Sequence, residues 1–226
     1  MQAFNFVRTW HPPDSFRAQA VIGQFSLAAV KMEKRFSGAL DLPEQWQVGV
    51  IVGRSGTGKT TIAKELFAEA YIRGFEYTHD SILDDFPESL SVGDVTRALY
   101  SVGFASPPDW LKSYEHLSQG EKMRVDVARA LTLKQPLIVF DEFTSVVDRE
   151  VAKVSALAVQ KAVRKSKKKF IAVTCHYDVV DWLEPDWVFT TDTMEFTKKK
   201  GCTQKLGLTF TGAAQTSGEP LGSITI

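Results

Sequence analysis

Residues 53–60 read Gly-Arg-Ser-Gly-Thr-Gly-Lys-Thr, and they stand between the apolar run Val-Gly-Val-Ile-Val (48–52) and a helical pattern over about 60–73. A short run that is apolar on both faces is a strand buried on both sides, as in parallel sheets covered by helices. Ile62, Leu66 and Ala70 form one stripe of the helix that follows. Strand, glycine-rich turn and helix together open an α/β unit. Glycines at 53, 56 and 58 let the backbone curl until its N–H groups converge, where a Cβ would obstruct them. The helix N-terminus behind the turn adds a dipole that favours an anion. The pattern G-x-x-x-x-G-K-[ST] is satisfied in full. Its mechanism assigns Gly53, Arg54, Ser55, Gly56, Thr57, Gly58, Lys59, Thr60 and Thr61 to a phosphate chain. The backbone forms the cradle, Lys59 supplies a point charge to the terminal phosphates, and the Thr60 hydroxyl is placed for Mg2+.

A second apolar run, Leu-Ile-Val-Phe (137–140), ends in Asp141 and Glu142. Two adjacent acids at the end of a buried strand are costly unless a cation or hydrogen bonds compensate them. Beside a phosphate loop, the first acid, Asp141, is expected to hold Mg2+ through water. Glu142 then points where a water would attack, and a carboxylate there acts as general base or orients that water.

Further buried strands are expected at 170–174 and 187–190, with a helix over 149–165 between the acids and the first of these. Residues 1–17, with Pro12 and Pro13, read as an irregular lead. Residues 18–42 alternate apolar and polar (Val21, Phe25, Leu27, then Phe36, Leu40, Leu42) and read as two or three short strands. A strand near 81–83 and short helices near 93–100 and 108–112 fill the middle of the chain, and 201–226 is a Gly, Thr and Ser-rich tail. Formal net charge is zero, so no global field points to nucleic acid or an anionic membrane. Two cysteines make no disulfide framework or metal pattern. No apolar run reaches the roughly 18–20 residues that span a bilayer, and the N-terminus has no basic head before an apolar run. These features suit a cytoplasmic protein without membrane insertion.

Three further stretches carry a resemblance. Residues 117–131 (LSQGEKMRVDVARAL) resemble the signature motif and following helix of ABC-type ATPases, usually LSGGQ. Residues 141–148 (DEFTSVVD) resemble their acid pair and D-loop, and 174–176 (TCH) end a strand where the family places a switch histidine. The resemblance covers roughly residues 18–195, within an ATPase domain expected at 18–200. It implies a P-loop NTPase fold of the ABC ATPase type: a mostly parallel core sheet, an N-terminal antiparallel β region and a helical subdomain, here reduced, at about 86–118. It implies ATP and Mg2+ as ligands and a head-to-tail homodimer. Each ATP would lie between residues 53–60 of one copy and Ser118, Gln119 and Gly120 of the other, with Asp148 at the seam and His176 at the γ-phosphate. Phe36 and Phe25 are the candidates for an adenine platform ahead of the loop, with Phe36 nearer the expected place. Read by itself, Ser118 with Glu121 is also an S-x-x-E capping box.

The chain departs from the family pattern as well. Glu121 replaces the usual glutamine of the signature, and no glutamine lies between Thr61 and Ser118, so the Q-loop residue is missing. Asp84 and Asp85 are the positional substitutes, with Asp84 taken as the metal contact. Lys59 to Asp84 spans 25 residues and Asp84 to Ser118 spans 34, short for a transporter ATPase. The leading expectation is therefore an ATPase whose closure controls a protein or nucleic-acid partner, similar to the ABC domain sometimes fused to a predicted acetyltransferase. The alternatives are the ATPase subunit of a membrane ABC transporter and an ATP-sensing module with little turnover. The basic runs 164–169 and 198–200 are the features that would serve a nucleic acid.

Overall fold

The computed structural model describes residues 2–27 and 32–199. In chain order its elements are β1 (Gln2–Trp10), α1 (Phe16–Gln24), β2 (Met32–Leu40), β3 (Val48–Val52), α2 (Lys59–Leu66), α3 (Val92–Ser101), α4 (Pro107–Trp110), a 3-10 turn (Tyr114–His116), α5 (Gln119–Thr132), β4 (Leu137–Phe140), α6 (Arg149–Lys165), β5 (Lys169–Thr174), α7 (Val179–Leu183), β6 (Trp187–Thr190) and β7 (Glu195–Lys198). The main sheet has the order β4-β5-β3-β6-β7, parallel except for β7, which pairs antiparallel with β6. β1 and β2 form a separate antiparallel pair, in register from Gln2 opposite Leu40 to Trp10 opposite Met32.

Side chains alternate across a strand, so β3 supplies both faces of the sheet. Val48, Val50 and Val52 join a core with Ile138, Phe170 and Ala172, covered by Val125 of α5 and Val159 of α6. Ile51 joins Val139, Ile171 and Val173 on the opposite face, covered by Ile62 and Ala63 of α2 and by Phe4, Phe36 and Leu40 of the β1–β2 pair. All five residues of β3 are buried, as the apolar run predicts. Each large aliphatic side chain removed from water in this way contributes roughly 2 kcal/mol before entropy is counted. Gly49 is the gap in the row, and Trp187 fills it. A Cβ on Gly49 would stand 2.1 Å from Trp187 Cζ2.

Several elements differ from expectation. Residues 1–17 are not an irregular lead, because β1 occupies Gln2–Trp10. Phe4 is buried and Phe6 half-buried while Asn5 is exposed, which is the period of a half-buried strand. The two prolines punctuate its end. Val21 lies on a helix, not a strand: Ser15 caps α1 by accepting from Ala18 N at 3.3 Å, and the Ala and Gln content supports the helical turn. Helix α2 stops at Leu66 instead of about 73. The chain turns there (Ala70 N to Phe67 O, 3.0 Å), and residues 70–72 pair beside β4 through Val139 N to Ala70 O and Ile72 N to Val139 O, both 2.9 Å. No strand forms at 81–83. Ile82 is instead pinned by its amide to Lys112 O at 3.0 Å. The expectations for 137–140 and 187–190 match β4 and β6, and β5 covers 170–174. The tail 201–226 lies outside the described residues.

Gly49→Ala forces a methyl group into Trp187, and such overpacking costs about 1–3 kcal/mol. Urea unfolding is expected to show a loss of that size. An unchanged midpoint would contradict this packing of Trp187.

Candidate active site

The phosphate loop leaves β3 at Val52 and enters α2 at Lys59. Gly56 and Gly58 hold φ of 80° and 104°, the left-handed region that a side chain disfavours. At Gly58 the constraint is also steric, because a Cβ would stand 2.1 Å from Phe36 Cε1. At Gly53 a Cβ would stand 2.1 Å from Thr191 Oγ1. Thr57 Oγ1 spans the loop, donating to Arg54 O at 2.8 Å and lying 2.6 Å from Thr191 Oγ1. Lys59 is nine-tenths buried, and its Nζ reaches back across the loop to Arg54 O at 3.0 Å. Lys34 of β2 donates to Gly56 O at 2.5 Å, a second cation at the lip.

The neighbouring strand ends complete the arrangement. Val52 is opposite Thr174 in the sheet, and Phe140 is opposite Ala172. The chain therefore delivers the phosphate loop, Asp141 and Glu142, and His176 to one edge, outside the carboxyl ends of three adjacent parallel strands. Ligands of open α/β sheets sit at that edge. Asp141 accepts from Glu142 N at 2.9 Å through Oδ1 and from the Tyr71 hydroxyl at 2.5 Å through Oδ2. Burial first, and then the Asp141 hydrogen bond, raise the Tyr71 pKa above the ordinary phenol value, so the hydroxyl is a donor at neutral pH. Glu142 is exposed with φ 53°, and Thr144 has φ 65°. Two non-glycine residues in the left-handed region so close together store strain of the kind found at functional turns. Between them Phe143 is fully buried and its amide is tied to Val173 O at 2.9 Å. His176 has a buried Nδ1 without a hydrogen-bond partner.

Helix α5 begins with the complete capping box. Ser118 Oγ accepts from Glu121 N at 3.4 Å, and Glu121 Oε2 accepts from Ser118 N at 2.7 Å. Ser118 and Gln119 are exposed. Gly120 is needed for close approach, since a Cβ would stand 2.7 Å from Val151 Cγ1 of α6. Asp148 is exposed and caps α6, accepting from Val151 N at 3.0 Å.

These residues fit a nucleotide with a divalent cation. The glycine cradle is one that Cβ atoms would fill, a buried lysine closes it, and a carboxylate pair and an orphaned imidazole nitrogen stand beside it. Two expected contacts do not fit. Phe36 is 3% exposed, its ring sandwiched between Gly58 and the Phe6 ring at 5.2 Å, so it is the floor of the loop and offers no free face to an adenine. Asp84 is an exposed turn residue, its amide bonded to Ser81 O at 3.1 Å. Its neighbour Asp85 is buried: Oδ1 accepts from Thr78 N at 2.9 Å and pairs with His79 at 2.8 Å, while Oδ2 has no hydrogen-bond partner. The basic run 164–169 is also largely spent on structure. Arg164 pairs with Asp186 at 2.7 Å, Lys168 donates to Leu133 O and Gln135 O at the end of α5, and Lys169 lies over Trp46. Lys198 pairs with Asp41.

Sequence reasoning missed Asp192, just after β6. It accepts from Arg54 Nε at 2.7 Å, from Arg54 N at 3.1 Å and from the Tyr177 hydroxyl. One carboxylate thus ties the first residue of the loop's variable stretch to the residue after His176. Tyr71 was missed too. Neither is in a motif, and both depend on how strands neighbour one another.

Comparison with known proteins agrees with this geometry. A family model described as "ATPase family associated with various cellular activities (AAA)" matches residues 50–185. Curated relatives include the energy-coupling factor transporter ATP-binding protein EcfA1 of Mycoplasmopsis synoviae, 27% identical over 58% of this chain and 62% of that protein. The EcfA1 of Staphylococcus aureus is 28% identical over 61% of this chain and 64% of that protein. The chain thus spans under two thirds of the length of these relatives. Among solved structures, the dimeric bacterial ABC transporter cassette MJ0796 matches with a TM-score of 0.57 at 16% identity, covering 74% of this chain and 93% of that chain. A bacterial Atm1-family ABC exporter with ATP bound matches at 0.53 and 22% identity, covering 76% of this chain and 35% of that chain. The fold is therefore that of an ABC cassette. Among the described residues no helix is long and apolar enough to cross a membrane.

The Asp192 cluster has a direct titration test. The Tyr177 hydrogen bond, then Arg54, lower the Asp192 carboxyl from 3.8 to about 2. The carboxylate's contribution to stability is thus present above the ordinary value and lost as pH falls towards 2. In Tyr177→Phe its NMR titration is expected to move up towards 3.8. A midpoint unmoved by that change would rule out the phenol as the donor.

Proposed function

Because the chain belongs to the ATPase family associated with various cellular activities, we propose that it binds ATP with Mg2+ and hydrolyses it as a head-to-tail dimer, coupling closure to a separate partner chain. The observation that carries this reading is the meeting of the phosphate loop, the Asp141–Glu142 pair and His176 at the carboxyl ends of β3, β4 and β5. The loop amides and Lys59 bind the phosphate chain, and Thr60 and Asp141 hold the cation. Bound Mg2+ supplies neutralisation of the phosphate charge. Glu142, exposed at the strained turn, takes the proton of the attacking water or orients it. His176 fixes the same water or the terminal phosphate. Arg54, Ser55 and Thr61 frame the loop without a chemical role.

The N-terminus of α5 supports the dimer. Its capping box satisfies Ser118 and aims free amides at solvent, beside an exposed Gln119 and the close-packed Gly120. A helix start so arranged favours an anion. A second copy would bring one, and Asp148 at the start of α6 would lie at the same seam. Turnover then awaits assembly, because each copy holds an incomplete site.

For the partner, a membrane-embedded transporter chain is the better supported reading. The curated relatives are named as transporter ATP-binding proteins, and the match spans 93% of a transporter cassette despite the short 84–118 segment. A non-membrane protein partner is favoured only by that short segment. The spent basic run 164–169 gives nucleic acid little support. Purification from detergent-solubilised membranes separates the first two: a co-purifying membrane chain supports the transporter reading, and its absence with a soluble partner retained supports the other.

Two substitutions test the chemistry and the dimer. Glu142→Gln is expected to bind ATP but sediment as a dimer that persists, with turnover reduced at least about a hundredfold for loss of a positioned base. Hydrolysis at the unmutated rate would remove Glu142 from this role. Ser118→Arg is expected to leave ATP binding by the isolated subunit intact while abolishing ATP-dependent dimerisation. Loss of ATP binding by the monomer would reduce Ser118 to a helix cap.

A further inference from the structure

We propose that Tyr71 is a positioning residue that fixes the Asp141 carboxylate for its cation. The proposal rests on the assignment of Asp141 to the metal. Tyr71 is in no motif, and its place comes from the sheet. After α2 the chain returns alongside β4, where Tyr71 forms a parallel bridge with Val139, two residues before Asp141. The flanking bonds of 2.9 Å, from Val139 N to Ala70 O and from Ile72 N to Val139 O, lock that register. The backbone therefore sets the separation from which the phenol reaches Asp141 Oδ2 at 2.5 Å.

The consequence lies in how the carboxylate is held. Asp141 Oδ1 takes the Glu142 amide at 2.9 Å and Oδ2 takes the phenol. With about four lone-pair positions on a carboxylate, one on each oxygen remains for a cation or its waters. The two hydrogen bonds stop the carboxylate rotating, so its free lone pairs keep one direction. The phenol is itself held, half-buried, with the Lys64 ammonium 5.0 Å over its ring. Tyr71, Asp141, Glu142 and Gln119 line one cleft of about 310 Å³, so the pair borders open space. A tie made only to hold residues 70–72 would not need the hydroxyl, because the backbone bonds already do that.

The test separates metal affinity from nucleotide affinity. Binding of Mn2+ in the presence of saturating ADP is followed by the EPR signal of free Mn2+, for the unmutated chain, Tyr71→Phe and Asp141→Asn. ADP binding in EDTA is measured for each. Tyr71→Phe is expected to weaken Mn2+ binding about tenfold, the lower range for loss of a group orienting a metal ligand, with ADP affinity in EDTA unchanged. Unmutated Mn2+ affinity in Tyr71→Phe, with loss in Asp141→Asn, would overturn the role of Tyr71 and leave that of Asp141 standing. Unmutated affinity in both would overturn the metal assignment and the inference with it. Weakened ADP binding in EDTA by Tyr71→Phe would make the tyrosine a structural support and also overturn the proposal.

Discussion

The contact on which the site depends is the one between Gly58 and the Phe36 ring. Gly58 is left-handed, and its missing Cβ is where the ring lies. The ring is carried by β2, whose Lys34 reaches the carbonyl of Gly56, the other left-handed glycine of the loop. The β1–β2 pair is therefore the buttress of the phosphate loop. It packs Phe4, Phe36 and Leu40 into the same core as Ile51 of β3 and Ile62 of α2. A loop built of backbone amides has no side-chain packing to define it, so a rigid floor is needed to keep those amides aimed.

The opposite wall is made by strand order. With β5 between β4 and β3, the carboxylate pair, the histidine and the loop come to one edge from segments spread between residues 53 and 176. The turns that follow the strands hold their shape through particular ties. Phe143 is buried between two left-handed residues and anchors Glu142 in an exposed position. Asp192 joins Arg54 to Tyr177, so the loop and the segment after His176 are coupled through one carboxylate. The Ser118 cap and the Asp148 cap lie at the starts of α5 and α6, which Gly120 and Val151 bring into contact.

Much of this was legible in the sequence because its signals are local. A wholly apolar run read as a buried strand at 48–52 and at 137–140, and the glycine pattern located the loop between strand and helix. The capping box was legible from Ser118 and Glu121 alone. What was not legible depends on neighbours distant in the chain. Phe36 has the composition of a base platform, and only the pairing of β2 under Gly58 shows it to be buried. Val21 alternates like a strand residue, but the Ser15 cap starts a helix. Residues 67–73 continue a helical pattern, yet the edge of β4 offers them hydrogen bonds that end it, and that exchange places Tyr71 against Asp141. Asp84 was an expectation carried by position along the chain, and the fold leaves it in an exposed turn.

The central claim is that a catalytic site forms only when two copies meet. Phosphate release measured across a range of protein concentrations, at saturating ATP and Mg2+, tests it most directly. The account predicts specific activity that rises with concentration and then levels off as the dimer saturates. A specific activity independent of concentration, in a protein that sediments as a monomer throughout with ATP present, would contradict it.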